Sequence, residues 1–431
     1  MLAFGPMPIQ FDPRVFILPP YEQCPSCGAA SFGILSVAGQ RYTRRCKDCW
    51  HTVDVALPAI RKKVVYVDQF AISNMMKVLN PRVKGHERAK QDPFWLELFG
   101  ALDALGRAQL VVCPNSEDHS TESMYSPFYA ALKSMYDYLA WGVSFHDSQF
   151  IHRSQLAVAV KAWLRGEAPV LKFDPQDVLH GHLDHWGDRL LVTVRGEYPD
   201  YVDDLRAARE QVTSGIAEAF AHWQASRGAG FREFFDDEWK GYGNRLLLVY
   251  KEWVEKSINV ALGVEPVSMD ALLPAPAATT FNILARIVEE NGTAVEKARP
   301  KLVEFFRSDT LSKAPFLRIS ASMFAVLAMK AVAGQKEPPN RGTAADVNVV
   351  ASLLPYCDAM FIDNPSASLL TDIPREHRLP YQCRVFSRRS GDEFLAFLRG
   401  IRDTMTNDHR DLVRMLYGRS WDAPNLRLFE K

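Results

Sequence analysis

Two stretches of this chain hold carboxylates where they could bind a metal ion. In the first, Val64, Val65, Tyr66 and Val67 form an apolar run of strand type that ends in Asp68. In the second, a short helix opens on Asp346, passes a turn at Pro355, and leads into a strand from Ala359 to Ile362 that ends in Asp363. A buried parallel strand delivers the residue after it to the carboxyl edge of a sheet, where open α/β folds keep their sites. Taken singly, each Asp would equally well open the turn after its strand. Two such strands in one chain point instead to a carboxylate cluster.

A third stretch supplies more oxygen ligands. The apolar run Gln109 to Cys113 leads into Pro114, Asn115, Ser116, Glu117, Asp118 and His119. This reads as a strand followed by a helix start, with Ser116 as N-cap and acids in the first turn. Ser116, His119 and Glu122 are spaced by three and share one helical face. Glu122 is therefore the candidate metal-binding acid. Glu117 is the alternative, or else a partner of the helix dipole. His119 could steer a phosphate or shuttle a proton, or simply hydrogen-bond a neighbouring loop. Asp346 carries its own structural alternative, because Thr343 to Asp346 has the form of a capping box with Asp in place of Glu.

A different chemistry sits near the N-terminus. Cys24 and Cys27, then Cys46 and Cys49, give the spacing C-x2-C-x18-C-x2-C of a four-thiolate zinc site. Hairpin-like segments lie between the pairs, and the segment resembles a zinc ribbon. A closed set of four thiolates implies a structural zinc. Arg41, Arg44, Arg45, Lys47, Arg61 and Lys62 lie close by, interleaved with Tyr42, Trp50 and His51. Basic and aromatic side chains so mixed suit a nucleic-acid backbone with unstacked bases. They would also serve as the solvated face of a small domain. His180, His182, Asp184 and His185 form a weaker candidate cluster, with a surface loop as the plainer reading.

The elements that must position these groups can be read from periodicity. Residues 1–60 comprise a Pro-rich segment and the ribbon. Residues 61–126 hold the first two acid-bearing units, and 334–431 hold the last one and the C-terminal tail. Between them, 127–333 reads as a large helical insertion, with apolar residues at three- and four-residue spacing. Its expected helices are 128–142, 154–165, 201–227, 231–262, 280–290, 295–307 and 324–332, with a break at 272–276. Outside it, helices are expected at 74–79, 94–107 and 392–402, a loop at 81–91, and a strand at 384–386.

Bulk composition excludes some classes. The chain has 431 residues, a formal net charge of zero, 47% apolar and 24% charged residues. That is enough for several domains and ordinary for a globular protein, with no global field to attract nucleic acid. No run of 18 apolar residues predicts a membrane span, and no secretory leader is evident, which fits a cytoplasmic location. There is no P-loop and no G-x-G-x-x-G, so nucleotide binding has no support. A phosphoaspartate phosphatase would want an acid two residues after Asp68, where Phe70 stands.

The order of acids resembles the PIN-like nucleases. That pattern has an Asp ending the first strand, a Glu at the start of a helix after the second, an Asp opening a helix, and an Asp ending the strand that follows. The matching residues are Asp68, Glu122, Asp346 and Asp363. The stretches 113–122 and 354–363 resemble the divergent bacterial PIN-like proteins that often accompany mobile or defence loci. The resemblance covers about 62–125 and 335–390 and leaves out the insertion. It implies an α/β fold with a PIN-like parallel sheet flanked by helices. It also implies a metal-dependent nuclease acting on RNA or single strands, with a role in phage defence.

Packed carboxylates repel unless a cation lies between them, and oxygen ligands favour Mg²⁺ or Mn²⁺. Asp68 would be the central ligand, with Glu122 and Asp346 beside it and Asp363 toward a second ion. Asp358 either joins the site or ties down its turn. The expected partners are a nucleic acid, RNA favoured, and a protein docking on the insertion. A catalytically silent nucleic-acid-binding or scaffold protein on the same core is the alternative.

Overall fold

The computed structural model describes residues 12–188, 214–267 and 273–430. It is a mixed α/β protein with a parallel sheet at its centre and a cysteine-bearing antiparallel sheet at its N-terminal end. The antiparallel sheet runs in simple order through β1 (Leu18–Glu22), β2 (Phe32–Ala38), β3 (Arg41–Cys46) and β4 (Thr52–Ala56). The central sheet comprises β5 (Lys63–Val67) and β6 (Val111–Val112), then β9 (Ala359–Phe361) and β10 (Arg384–Phe386). Their spatial order is β10-β9-β5-β6, and every pair is parallel. Between them in sequence, β7 (Ser144–Phe145) and β8 (Leu179–His180) form a small antiparallel pair.

The parallel sheet is covered on both faces, which is why its strands read as continuous apolar runs. Alternate residues point to opposite sides. Val65, Val67, Ala359 and Phe361 pack with the helices Gln69–Leu79, Phe94–Arg107, Tyr129–Ala140 and Gly391–Asp403. Val64, Tyr66, Met360 and Ile362 face the other way. There they join one continuous core with the helices Ser148–Leu164, Phe231–Ala261, Pro276–Glu290, Val295–Phe306, Pro315–Val332 and Thr343–Leu353. Phe361 lies fully buried among Phe70, Phe94, Trp95 and Phe394. Burial of such a ring contributes about 2–3 kcal/mol.

Several elements differ from what periodicity alone indicates. The first helix begins directly after Asp68 and not at Asn74, because Ala71, Ile72, Met75, Met76 and Leu79 make one buried stripe. β6 is shorter than the apolar run 109–113. Gln109 takes a left-handed φ of 57°, donates to Gly106 O at 2.9 Å, and accepts from Gly187 N at 2.8 Å, so it closes the preceding helix. The segment 81–91 contains a short helix, His86–Ala89. Asp147 caps Ser148–Leu164 through Phe150 N at 2.7 Å, which starts that helix ahead of Ser154. Part of the expected helix 201–227 and part of the break 272–276 fall outside the described residues, as does the start of the Pro-rich N-terminal segment; 214–225 is helical.

Pro315–Val332 is the single helix among the described residues long and apolar enough to cross a membrane by length and composition. It passes that test, at a mean hydropathy of 1.4, although no unbroken apolar run marks it in the sequence. It is 67% buried here, packed against Phe231–Ala261 and Thr343–Leu353, as a core helix would be. The antiparallel sheet docks through Ile34, Val37 and Tyr42 onto Trp186, Val413, Leu416 and Trp421. Trp186 fastens this junction, its N–H donating to Gly39 O and its indole N–H to Pro58 O, both at 2.8 Å.

Candidate metal centres

Parallel register places the residues after β5, β9 and β10 on one edge. Asp68 N donates to Phe361 O at 3.0 Å, and Ile362 N to Phe386 O at 2.9 Å. Asp68 immediately precedes the helix that follows β5 but makes no side-chain cap bond to it, whereas Asp363 caps the helix Asn364–Asp372, accepting from Ser366 N at 2.8 Å. The helix Glu117–Met124, entered from β6, and the helix Thr343–Leu353 arrive at the same edge. The resulting cleft is lined by Tyr66, Asp68, Asp118, Glu122, Asp346 and Ser366, among others. It holds about 10 Å³, roughly the room one water-sized sphere needs.

Its electrostatics are those of crowded, partly desolvated acids. Burial first, and then the charges of Glu122 and Asp363, raise Asp68 from 3.8 to about 7 against the pull of the Gln69 and Phe70 N–H groups. Burial also leads for Asp346, raised to about 8 with Asp68, Asp363 and Glu122 adding repulsion. Asp346 does not cap its helix, since Thr343 instead donates to Asn340 Oδ1 at 3.1 Å. The capping alternative therefore falls away for Asp346, whose side chain lines the cleft. Asp68, Asp346 and Asp363 stand at or near helix N-termini, so the fold concentrates positive dipole ends where carboxylates are held together.

The sequence reading missed Asp118. It lies four residues before Glu122 and so on the same helical face, a spacing visible in the sequence. Burial, then Glu117, raises it to about 6. Glu117 is exposed and does not line this cleft. Asp358 lies at the opposite end of its strand. It pairs with Lys63 Nζ at 2.7 Å and accepts from Val64 N at 2.9 Å, so it ties strands together and has no part in the cleft.

His119 serves the helix start. Its N donates to Ser116 Oγ at 3.2 Å, and its Nδ1 accepts from Ser116 N at 3.3 Å, a reciprocal capping box. The ring is stacked between Tyr66 and Tyr136, with centroids at 5.0 and 4.6 Å. Burial depresses it to about 3, and the Val67 carbonyl offsets that only in part. A neutral, buried imidazole is a poor proton shuttle near neutrality, so the structural alternative fits His119. The other histidine cluster does not converge. His180 packs on His146 at 3.7 Å, while His182 packs on His185 at 4.2 Å.

The four cysteines do converge. Their sulfurs all lie within 4.8 Å of one another, a spacing that no other group of three or more ligand-type side chains among the described residues reaches. The carboxylates are thus spread more widely than the thiols. Cys24 and Cys27 flank a tight turn in which Gly28 N donates to Cys24 O at 2.8 Å and Ser26 N approaches Cys24 Sγ at 3.4 Å. The second pair repeats this, with Asp48 N at 3.4 Å from Cys46 Sγ. N–H donation from Cys49, with help from the Ser31 hydroxyl, holds the Cys46 thiol down to about 6. Four clustered sulfurs could hold a zinc ion.

The basic candidates divide. Arg44 is buried, paired with Glu22 at 2.6 Å and donating to the Phe32 carbonyl at 3.2 Å, so it braces the antiparallel sheet. Lys62 is buried too, and desolvation lowers it to about 8 although Asp184 opposes that. Neither can reach a nucleic-acid backbone, which corrects their place among the expected contacts. Arg41 is exposed beside Asp54, at 3.6 Å, and Arg61 is exposed. Arg45 lies over Trp50 at 4.4 Å, and Lys47 lies over Tyr21 at 4.5 Å. Arg41 and Arg61 thus face solvent, while Arg45 and Lys47 are half-buried against their rings.

No family model, curated protein or solved structure matches the chain.

Proposed function

We propose that this protein is a metal-dependent nuclease with a PIN-like core, acting on RNA or another single-stranded nucleic acid. The observation that carries the reading is the meeting of Asp68, Glu122, Asp346 and Asp363 beside one cleft, with Asp68 and Asp346 driven to about 7 and 8. Structure-stabilising acids pair with bases or cap helices. Here two carboxylates are held partly desolvated and mutually repelled, a cost that functional sites bear.

Asp68, Glu122 and Asp346, with Asp118 close by, would hold Mg²⁺ or Mn²⁺, and Asp363 would complete the set from its cap. Bound there, the ion would supply a water activated at neutral pH and charge to stabilise the leaving oxygen. The chain's own contribution is to orient the carboxylates on strand ends and helices and to keep the cleft narrow, while the ion's charge would offset the burial and repulsion that favour their protonated forms. Arg41, Arg45, Lys47 and Arg61, on and beside the ribbon, would contact substrate, while a zinc ion would fix the ribbon. The helices of 148–164, 231–261 and 276–332 offer surface for a protein partner, and a cytoplasmic location and a role in phage defence belong to this same reading.

The test is cleavage of labelled single-stranded RNA and DNA by wild type and Asp68→Asn, with Mn²⁺, with Mg²⁺ and without either. Metal-dependent cleavage lost in the variant is the expected result. Binding that survives without cleavage under any metal would favour the silent binding module.

A further inference from the structure

A second concavity adjoins the carboxylate cleft along the sheet edge. It is a groove of about 480 Å³ between β10 and the helix Asn364–Asp372, with Asn364, Ser387, Arg389 and Ser390 lining its end nearest the carboxyl end of β10 and Arg378 and Cys383 lining it further back. The two concavities share one turn. Asp363 caps the helix on the cleft side, and the adjacent Asn364 lines the groove. Asn364 Oδ1 accepts from Arg389 N at 3.2 Å, which ties the loop after β10 to the loop after β9. β10 is two strands from β5. Sheet spacing therefore sets the groove roughly 10 Å from the Asp68 strand.

The two arginines of this loop are used differently. Arg388 is committed to the fold, bidentate to Asp92 at 3.0–3.1 Å and 4.3 Å above the Phe94 ring. Arg389 is exposed, lines the groove, and makes no ion pair with an acid among the described residues. The acid of the groove, Asp372, is already paired with Lys330 at 2.9 Å. What remains is a free guanidinium among hydroxyl and amide donors, a chemistry matched to phosphate oxygens.

We propose that this groove, centred on Arg389, seats the phosphodiester backbone of a single-stranded nucleic acid whose neighbouring bond lies in the carboxylate cleft. The proposal rests on the nuclease reading and adds to it where the strand runs. Carboxylates repel a polyanion, so a strand needs a cationic anchor beside them. Two arginines line the groove among the described residues; Arg378 is engaged with the Ile373 and Thr371 carbonyls at 2.9 and 2.6 Å, which leaves Arg389 to supply it.

The experiment measures binding of fluorescein-labelled single-stranded RNA and DNA by anisotropy across a salt series. The full chain is used with Asp68→Asn to prevent cleavage, alone and combined with Arg389→Ala or Arg389→Lys. Each phosphate contact contributes about 0.7 to the slope of log affinity against log salt for a single strand, about fivefold in affinity near 0.1 M. Arg389→Ala should flatten the slope by about 0.7 and weaken binding about fivefold, while Arg389→Lys should retain the slope. The alanine keeps the backbone N–H that Asn364 accepts, so the loop tie survives it. Unchanged slope and affinity in Arg389→Ala, with binding otherwise intact, would overturn the subsite and leave the nuclease reading standing. No binding of either nucleic acid by Asp68→Asn, even at low salt, would overturn both.

Discussion

Asp68→Asn should make the protein more stable in the absence of Mg²⁺ and Mn²⁺. The folded state raises Asp68 from 3.8 to about 7, chiefly by burial and then by Glu122 and Asp363. Between those values the folded chain holds a proton that the unfolded chain has lost. Stability therefore falls as pH rises across that window and levels off above it. Three pKa units correspond to roughly 4 kcal/mol at pH 8.5, shrinking below about 2 kcal/mol at pH 5. The larger figure is a ceiling, because Asp346 shares the same repulsion. The assay is urea denaturation of zinc-loaded protein, dialysed free of Mg²⁺ and Mn²⁺, at both pH values. The variant should gain about 1–4 kcal/mol at pH 8.5 and distinctly less at pH 5. Mn²⁺ should stabilise wild type and leave the variant nearly unmoved. A variant less stable than wild type at pH 8.5, or a gap independent of pH, would refute the reasoning.

Four further outcomes are expected. Asp358→Ala should cost about 1–2 kcal/mol, since it strips acceptors from Lys63 and Val64, yet leave the stabilisation by Mn²⁺ intact when thermal shifts are compared. Phe361→Ala should cost about 3–5 kcal/mol by opening a void among four aromatic rings, measured by denaturant midpoint. Cys46→Ala should lose bound zinc by elemental analysis and expose the ribbon to limited proteolysis, with β5 and β9 still protected from hydrogen exchange. His119, neutral above about pH 3, should contribute no inflection to a pH–activity profile between 5 and 8.

The parallel strands and the cysteine pairs were legible because each depends on local pattern. Val64 to Val67 is apolar without alternation, as a strand covered on both faces must be, and two C-x2-C turns need only their own backbone to aim sulfurs. The grouping of Asp68, Asp346 and Asp363 was legible through the strands they follow or lead into. Asp118 shares a face with Glu122 at i, i+4, but Ser116, His119 and Glu122 share one at i, i+3, and tertiary packing decides which face turns inward. Arg44 and Lys62 could not be told from their exposed neighbours, because their burial depends on Glu22, Phe32 and Trp186's loop, which are distant in sequence or lie across strands. The role of Asp358 rested on Lys63, 295 residues away in the chain.

The most direct test is an electron paramagnetic resonance titration of Mn²⁺ into zinc-loaded protein, reading the free-ion signal. Wild type and Asp358→Ala should deplete that signal, and Asp68→Asn and Asp346→Asn should not. Equal depletion by all four proteins, or none by wild type, would contradict a metal centre at the Asp68 edge.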